Sequence, residues 1–365
     1  MLQKALVLFT VLAGIAGCVS CGSTSSHYVY ATIPAANQII VYREDPNSGV
    51  LTQISGSPYS VGEGARSLVL HPSGKFLYVA NPGQGGTSEN DISLFDIASN
   101  GGLTEVTPRT SLGSFASQPQ LLLMDSAGAF LYVMNTGSNN ISVFSIDSGT
   151  GALAQVAGSP FGIGAPPLNM VLAPSGSFLY VSLASQPSGL IATYTVTAGQ
   201  LTLVSTASTD GLNPYGLAVN SAGTYLYTAN TTSNSLSVFT IDSSGGLAQV
   251  QGSPINNGYT APIAMIFDPS GKYLYVANQG SNNVAAYSIS STGLPEALTT
   301  STTTNTFTTE TSPSFLATDP SGKYLMVGNQ GTSAGIQLFG ISNGSLNTLS
   351  TYSVGNTPSS IAVLQ

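Results

Sequence analysis

The sequence predicts an all-β protein, a seven-bladed β-propeller whose blades are four-stranded antiparallel sheets. Three observations predict this fold: one segment recurs along the chain, each copy alternates as strands do, and the two ends of the chain hold complementary halves of one copy. No sustained 3.6-residue periodicity follows Gly17, so we expect no amphipathic helix beyond it.

The recurring segment is a tight turn followed by a strand. Its clearest copies read HPSGKFLYVAN at 71–81, DPSGKYLYVAN at 268–278 and DPSGKYLMVGN at 319–329. The tyrosine of "LYV" (a methionine in the last copy) marks seven copies, 47–54 residues apart, at positions 30, 78, 132, 180, 227, 275 and 326. A period of this length is typical of propellers and solenoids.

Each copy predicts four short strands, here called a to d. Strand a is an apolar run after a proline, as at 262–267, and the Pro-Ser-Gly turn within 268–271 closes a hairpin onto strand b. Strand c, as at 141–146, turns into strand d at 152–156. We expect Asx-type turns at the asparagines that end strand b, at 81, 135, 230, 278 and 329.

The ends of the chain predict how the ring closes. Residues 358–364 have the pattern of a strand a with no strand b after it, and residues 27–33 have that of a strand b with no strand a before it. Radial closure removes the exposed edges that separate sheets would leave. We therefore predict that residues 27–365 form the propeller and that the last strand is the innermost strand of the blade that begins at residue 27.

Residues 1–17 predict a lipoprotein signal peptide. Lys4 precedes a 13-residue apolar run at 5–17, which is too short to span a membrane. Residues 15–18 resemble the bacterial lipobox, whose cysteine is acylated and becomes the first residue; the alternative is ordinary cleavage and release. We expect Cys18 to carry the lipid, residues 18–26 to form a polar tether, and the exported protein to be anchored in the periplasm or at the cell surface.

Composition excludes several classes of function. Seven Lys and Arg residues against fifteen Asp and Glu residues cannot form a basic footprint, so we expect no nucleic-acid partner and no membrane contact apart from the lipid. Cys18 and Cys21 lack a second ligand pair, and the Asn-rich loops lack carboxylates, so no metal is predicted. We also expect no cofactor, and a monomer.

The run DPSGKYLYVANQGSNNV at 268–284 and its variants resemble the YVTN-type propeller repeat. They also resemble the lactonase-like seven-bladed propellers related to bacterial 6-phosphogluconolactonase, over about residues 27–365. The resemblance implies a site at the channel mouth, with Arg and His directly after the proline that opens strand a. Arg66 matches this pattern, Ser67 stands in place of the histidine, and His27 and His71 fall on the opposite face.

Residues just after those prolines should line the channel mouth. The expected ligand-binding residues are Ser67, Gln120, Asn169, Tyr215 and Phe315. Neutral hydrogen-bonding groups beside aromatic rings suit a carbohydrate or peptide ligand. We therefore interpret the protein as a binding or scaffolding module at the cell envelope.

The alternative is a lactonase that opens a sugar-acid lactone. This reaction needs an activated water and a stabilised oxyanion. The candidate catalytic residues are Arg66 with Glu63 or Asp210. Glu89, Asp91, Glu310 and Arg109 are expected on the same face, and all of these charges could equally be solvated loop groups.

Overall fold

The computed structural model describes residues 27–83, 89–256, 258–298, 305–331 and 335–364. Within them, 32 strands form seven antiparallel sheets, which confirms the predicted all-β, seven-bladed architecture. The predicted signal peptide, the tether and Cys18 lie outside the described residues. In the described ranges the only helix is a 3₁₀ turn at Pro34–Ala36, and no helix there is long and apolar enough to cross a bilayer.

The first four blades follow one another along the chain. Blade 1 holds β1 (His27–Ile33), β2 (Gln38–Glu44), β3 (Leu51–Gln53) and β4 (Tyr59–Ser60). Blade 2 holds β5 (Ser67–Leu70), β6 (Phe76–Asn81), β7 (Asp91–Ile97) and β8 (Leu103–Ser111). Blade 3 holds β9 (Pro119–Met124), β10 (Phe130–Asn135), β11 (Asn140–Ile146), β12 (Leu153–Gln155) and β13 (Phe161–Gly162). Blade 4 holds β14 (Pro167–Leu172), β15 (Phe178–Leu183), β16 (Leu190–Thr197) and β17 (Gln200–Ser208).

The remaining strands complete the ring. Blade 5 holds β18 (Pro214–Val219), β19 (Tyr225–Asn230), β20 (Ser235–Ile241), β21 (Leu247–Gln249) and β22 (Ile255–Asn256). Blade 6 holds β23 (Pro262–Phe267), β24 (Tyr273–Asn278), β25 (Asn283–Ile289), β26 (Pro295–Ala297) and β27 (Thr306–Thr308). Blade 7 holds β28 (Pro313–Thr318), β29 (Tyr324–Asn329), β30 (Gly335–Ser342) and β31 (Ser345–Ser353), and β32 (Ser360–Leu364) returns to blade 1.

Closure takes the predicted form, because the last strand pairs with the first. β32 lies antiparallel to β1, with Tyr28 opposite Leu364 and Thr32 opposite Ser360. All five residues of β32 are buried, so this strand contributes to the core of the ring as well as to the sheet.

The joint between neighbouring blades has the same construction seven times. A glycine in the c–d turn of one blade lies against the aromatic ring that begins, or nearly begins, strand b of the blade before it. An added Cβ at each of these glycines would come within 2.3–2.8 Å of the ring. The pairs are Gly101–Tyr28, Gly151–Phe76, Gly199–Phe130, Gly245–Phe178, Gly293–Tyr225, Gly344–Tyr273 and Gly49–Tyr324. Only the absence of a side chain allows the turn to approach the ring so closely.

The asparagines that end strand b are not in Asx-type turns, so that expectation was wrong where the contacts are resolved. Asn230 is fully buried, and its Nδ2 donates to Ser235 Oγ at 3.1 Å and to Ser237 Oγ at 2.8 Å on strand c. Its Oδ1 has no hydrogen-bond partner within the described residues, whereas an Asx turn requires that oxygen to accept a backbone hydrogen bond. Asn81 and Asn135 likewise donate to side chains of strand c, so these amides link strand b to strand c.

Candidate functional site

A β-bulge at the start of strand a aims one side chain of a blade at the channel mouth. In blades 3 to 7 the pairing of strands a and b shifts by one residue directly after the proline. The residue left over is Gln120, Leu168, Tyr215, Ile263 or Ser314. Bulges commonly re-aim side chains near functional sites. Arg66 and Ser359 occupy the corresponding positions of blades 2 and 1.

A cavity of about 230 Å³ lies at this mouth. Five of the sequence-predicted residues line it together: Arg66, Ser67, Gln120, Asn169 and Phe315. Tyr215 lies outside the described lining; it is 38% exposed, and its carbonyl oxygen accepts a hydrogen bond from Asn169 Nδ2 at 2.5 Å. The remaining described lining residues are Leu121, Met134, Leu168, Ser314, Gln330 and Ser359.

Arg66 is the only charged residue among the described lining residues. Its Nε donates to Gln120 Oε1 at 2.9 Å, which fixes the plane of the guanidinium across two neighbouring blades. Within the part of the chain that the structure describes, no carboxylate forms an ion pair with it. The other nitrogens of the guanidinium are therefore available to a ligand.

Neutral polar groups surround this cation, and the protein already orients them. Ser67 Oγ accepts from the backbone N–H of Leu122 at 3.1 Å, and Asn169 Oδ1 accepts from that of Met170 at 2.8 Å. Ser359 Oγ donates to the carbonyl of Arg66 at 2.7 Å. A small ligand rich in hydroxyl groups, with one electron-rich oxygen for Arg66, fits this set of donors and acceptors.

The structure does not bring the candidate carboxylates into this cavity. Glu63 and Asp210 are not among its described lining residues. The backbone N–H of Glu63 points to Glu89 Oε2 at 3.3 Å, and Asp210 Oδ1 accepts from Ser208 Oγ at 2.7 Å. The backbone N–H of Glu310 donates to Gln337 Oε1 at 2.9 Å, and Glu310 also lies outside the described lining.

Arg109 belongs to a separate acidic network in blade 2. Its Nε lies 2.7 Å from Glu105 Oε1 and its Nη1 lies 3.5 Å from Glu89 Oε2. The hydrogen bond to Glu105 raises the pKa of Arg109 further, and burial raises the pKa of Asp91, which accepts from Asn81 Nδ2 at 2.7 Å. The charge of Arg109 is thus paired with carboxylates of the protein, whereas Arg66 has no carboxylate partner within the described residues.

Two lining residues were missed from the sequence. Met134 and Gln330 come from the end of strand b or directly after it, and not from the start of strand a. Each is the immediate neighbour of a recurring asparagine, Asn135 or Asn329. That position was a usable signal, because the end of strand b lies beside the start of strand a in every hairpin.

A family model described as "Lactonase, 7-bladed beta-propeller" matches residues 24–166, 169–261 and 257–363. Among curated proteins, the chain is similar to the 6-phosphogluconolactonase of Formosa agariphila, 38% identical over 25% of each protein. It is also similar to the 6-phosphogluconolactonase of Bacillus subtilis, 29% identical over 37% of this chain and 38% of the relative. The chain thus matches well under half the length of these relatives.

Solved structures resemble this chain over almost its whole length. A periplasmic gluconolactonase from Pseudomonas aeruginosa superposes with a TM-score of 0.74 at 20% identity, covering 93% of this chain and 99% of that one. A protein from Lactobacillus plantarum gives a TM-score of 0.77 at 20% identity, with the same coverage of 93% and 99%. At this level of identity the likeness shows the common fold.

Proposed function

The chain belongs to the family of seven-bladed β-propeller lactonases, and from this premise we propose that it hydrolyses an unphosphorylated sugar-acid lactone at the channel mouth. The relatives named 6-phosphogluconolactonase and gluconolactonase support lactone chemistry. The observation that carries the proposal is Arg66, a cation held at the cavity by Gln120 with no carboxylate partner in the described parts of the chain.

Arg66 would act on the lactone carbonyl. A guanidinium N–H donates to the carbonyl oxygen while water attacks the carbonyl carbon, and the positive charge stabilises the oxyanion that forms. The bond from this carbon to the ring oxygen then breaks, and the ring oxygen takes up the proton that the attacking water loses, which gives the open hydroxy acid. Ser67, Gln120 and Asn169 would hold the sugar hydroxyls, so that the carbonyl faces Arg66.

The charge of the cavity indicates an unphosphorylated substrate. A phosphoryl group is usually bound by several convergent cations. Only Arg66 supplies one among the described lining residues, and the proposed mechanism uses it at the carbonyl. We therefore expect gluconolactone to be turned over at least as well as its 6-phospho derivative.

The test is lactone hydrolysis by wild type and by Arg66→Ala, at a slightly acid pH that keeps spontaneous opening slow. We expect Arg66→Ala to lower kcat/KM about 10²-fold, the cost of losing one oxyanion donor. Arg66→Lys should retain part of the activity, because the charge remains while the planar fork is lost.

Arg109→Ala is the matched control, since Arg109 is on the same face but is paired with Glu89 and Glu105. It should leave turnover within about twofold of wild type, as should Asp210→Asn and Glu63→Gln, whose side chains do not line the cavity in the described structure. If wild type turns over lactone and Arg66→Ala does so equally well, the assignment of Arg66 is wrong.

Ligand binding without hydrolysis is the second candidate function. It is favoured by the lack of any carboxylate or histidine among the described lining residues, because such a group commonly activates the attacking water. Calorimetry with gluconate and with neutral oligosaccharides separates the two functions. Arg66-dependent binding together with absent lactone turnover would support a binding module at the cell envelope.

We further propose that the protein is exported and anchored by a lipid on Cys18, on the strength of the apolar run and the lipobox-like residues before it. Cys18→Ala should move the protein from the membrane fraction to the soluble extracytoplasmic fraction in a bacterial host. Cys21→Ala is the control and should stay with the membranes. Equal fractionation of wild type and Cys18→Ala would contradict the anchor.

A further inference from the structure

Three ligand-type side chains meet at the joint between blade 7 and blade 1, where the ring closes. His27 begins β1, Glu44 ends β2, and Asp319 begins the turn between β28 and β29. One nitrogen or oxygen from each side chain lies within 4.8 Å of the other two, and His27 Nδ1 is 3.3 Å from Glu44 Oε2. All three residues are buried: His27 is 6% exposed, and Glu44 and Asp319 are 0% exposed.

Glu44 is the exception among seven equivalent positions. In the β1–β2 hairpin Glu44 lies opposite His27, which stands three positions before the marker tyrosine, Tyr30. In the other six blades the residue at the Glu44 position is aliphatic and lies at the same place in the hairpin: Ile97, Ile146, Val196, Ile241, Ile289 and Ile341. The fold of a blade therefore does not require a carboxylate there.

The carboxylate of Glu44 is also incompletely satisfied. Its Oε2 faces His27, while its Oε1 has no hydrogen-bond partner in the described structure. Burying a charged oxygen without a partner is costly, and a second buried carboxylate nearby increases that cost. Burial and the proximity of Asp319 raise the pKa of Glu44, whereas the hydrogen bond with His27 lowers it.

No lysine or arginine within the described residues forms an ion pair with either of these carboxylates. Lys323 stands four residues after Asp319, but its ammonium donates to the carbonyl of Pro46 at 3.4 Å. Asp319 Oδ2 accepts hydrogen bonds from the backbone N–H and the hydroxyl of Ser321, and its Oδ1 accepts one from the backbone N–H of Tyr324. A lone pair therefore remains on Oδ1. The two carboxylates thus lack a lysine or arginine partner within the described residues.

We propose that His27, Glu44 and Asp319 bind one divalent transition-metal ion of the zinc class, which fastens blade 7 to blade 1. One imidazole nitrogen and two carboxylate oxygens are a donor set that Zn²⁺ accepts. Neighbouring ligands of a tetrahedral zinc ion stand about 3.3 Å apart, as follows from metal–ligand bonds of about 2.0–2.1 Å. The distance between His27 Nδ1 and Glu44 Oε2 is 3.3 Å. The second oxygen of Glu44 or one water would complete the coordination.

This site is separate from the proposed lactonase site. His27 and Ile33 are the two ends of β1, and seven residues of strand place the cluster about 20 Å from the channel-mouth face. The ion would therefore stabilise the ring without touching the substrate, and the two proposals can fail independently.

The test uses purified protein that carries no polyhistidine tag and has been stripped of metal with a chelator. We expect it to bind one equivalent of Zn²⁺ by calorimetry. A free concentration a hundredfold above the dissociation constant should raise Tm by about 4 °C for a domain of this size. Ca²⁺ and Mg²⁺, which prefer all-oxygen sites, should bind much more weakly.

Glu44→Ile is the decisive variant, because six blades carry Ile or Val at this position and the variant is therefore expected to fold. It should bind no Zn²⁺ and show no rise in Tm, while the metal-free protein melts at or above the wild-type temperature. Asp319→Asn, which keeps an acceptor for the turn, should weaken zinc binding at least tenfold.

His71→Gln is the matched control, since His71 is the only other histidine in the chain and bonds to Ser73 and to the carbonyl of Gly128. Its stability can change, but its rise in Tm with Zn²⁺ should equal that of wild type. The proposal is overturned if wild type binds no stoichiometric Zn²⁺, or if Glu44→Ile binds it as wild type does.

Discussion

At the scale of single residues, the asparagines that end strand b show how a local pattern can suggest a wrong role. Asn, Ser and Gly around these positions favour a turn, yet Asn230 is fully buried and donates two hydrogen bonds to strand c. The pattern marks where the hairpin reverses, but it does not reveal that the amide points inward. Burial of that amide makes the residue a source of stability.

Asn230→Ala should therefore lower the free energy of unfolding by about 1–3 kcal/mol. The change removes the two hydrogen bonds from Nδ2 and leaves buried serine hydroxyls with fewer partners. Urea unfolding followed by circular dichroism measures this loss. Asn347→Ala, at an exposed position of β31, is the control and should stay within about 0.5 kcal/mol of wild type. Equal effects of the two changes would contradict the structural role of Asn230.

The placement of mouth residues was largely predictable from the sequence, whereas their partners were not. Each strand a begins beside the channel, so the residues after its proline come near the mouth. The sequence predicted six site residues there: Arg66 and the five residues expected to bind ligand. All of them except Tyr215 line one cavity. The hydrogen bond between Arg66 and Gln120 joins residues 54 positions apart on different blades. Loop conformation decides whether Glu63 or Asp210 approaches Arg66, and a spacing pattern does not encode it.

The cluster of His27, Glu44 and Asp319 was not predicted from the sequence, for a related reason. Residues 27 and 44 pair within blade 1, and closure of the ring brings residue 319 of blade 7 beside them. The three ligands therefore share no short-range spacing, and no metal was predicted. A useful signal was nevertheless present. The position of Glu44 is aliphatic in every other copy of the repeat, so a comparison of the copies with one another would have singled it out.

At the scale of structural elements, the contact of a c–d turn with the preceding blade holds neighbouring sheets in place. At the joint between blades 2 and 3, Gly151 has a φ of 72° and lies against the ring of Phe76, and its carbonyl accepts from Tyr78 Oη at 2.7 Å. The turn thus needs a residue in the left-handed conformation without a side chain. Its carbonyl also accepts a hydrogen bond from the neighbouring blade that it contacts.

Gly151→Ala should cost about 2 kcal/mol or more in the free energy of unfolding. A positive φ costs an alanine about 1–2 kcal/mol, and the new Cβ would lie 2.8 Å from the Phe76 ring, so the blades must shift. Chemical unfolding provides the measurement. Gly176→Ala isolates the backbone cost, because Gly176 has a φ of 71° but nothing lies within 4 Å of its added Cβ. If both changes cost the same, the contact with the ring contributes nothing.

At the scale of the whole molecule, the number of blades, the strand order and the closure were predictable, because they follow from counting copies and from the two incomplete halves. The structure adds that the fourth strand is broken in some blades: β3 and β4, for example, both pair with β2. Ser57 explains this break, since its Oγ accepts from the backbone N–H of Val41 at 2.9 Å between the two segments. A side-chain acceptor that replaces a backbone carbonyl in this way does not alter the alternation of apolar and polar residues, so the sequence pattern does not reveal it.

Deletion of residues 358–365 should unfold the ring as a unit. The deletion removes β32, exposes the edge of β1 and takes three large buried aliphatic side chains from the core, a loss of about 4.5–9 kcal/mol at about 1.5–3 kcal/mol each. That is comparable with the total stability of many domains. Thermal unfolding and size-exclusion chromatography measure the effect, with deletion of Gln365 alone as the control. A truncated protein that melts like the intact one would refute closure by the last strand.

The pairing of β1 with β32 also constrains when the protein can fold. Thr32 and Ser359, which touch across this seam, are 327 positions apart in the chain. During synthesis, the edge of β1 in the first blade therefore stays unpaired until residues 360–364 have been translated. Assembly of the ring consequently comes after the synthesis of all seven blades and is slowed by the distance in sequence between the paired strands, and a nascent chain interrupted before residue 360 keeps an open edge that favours aggregation.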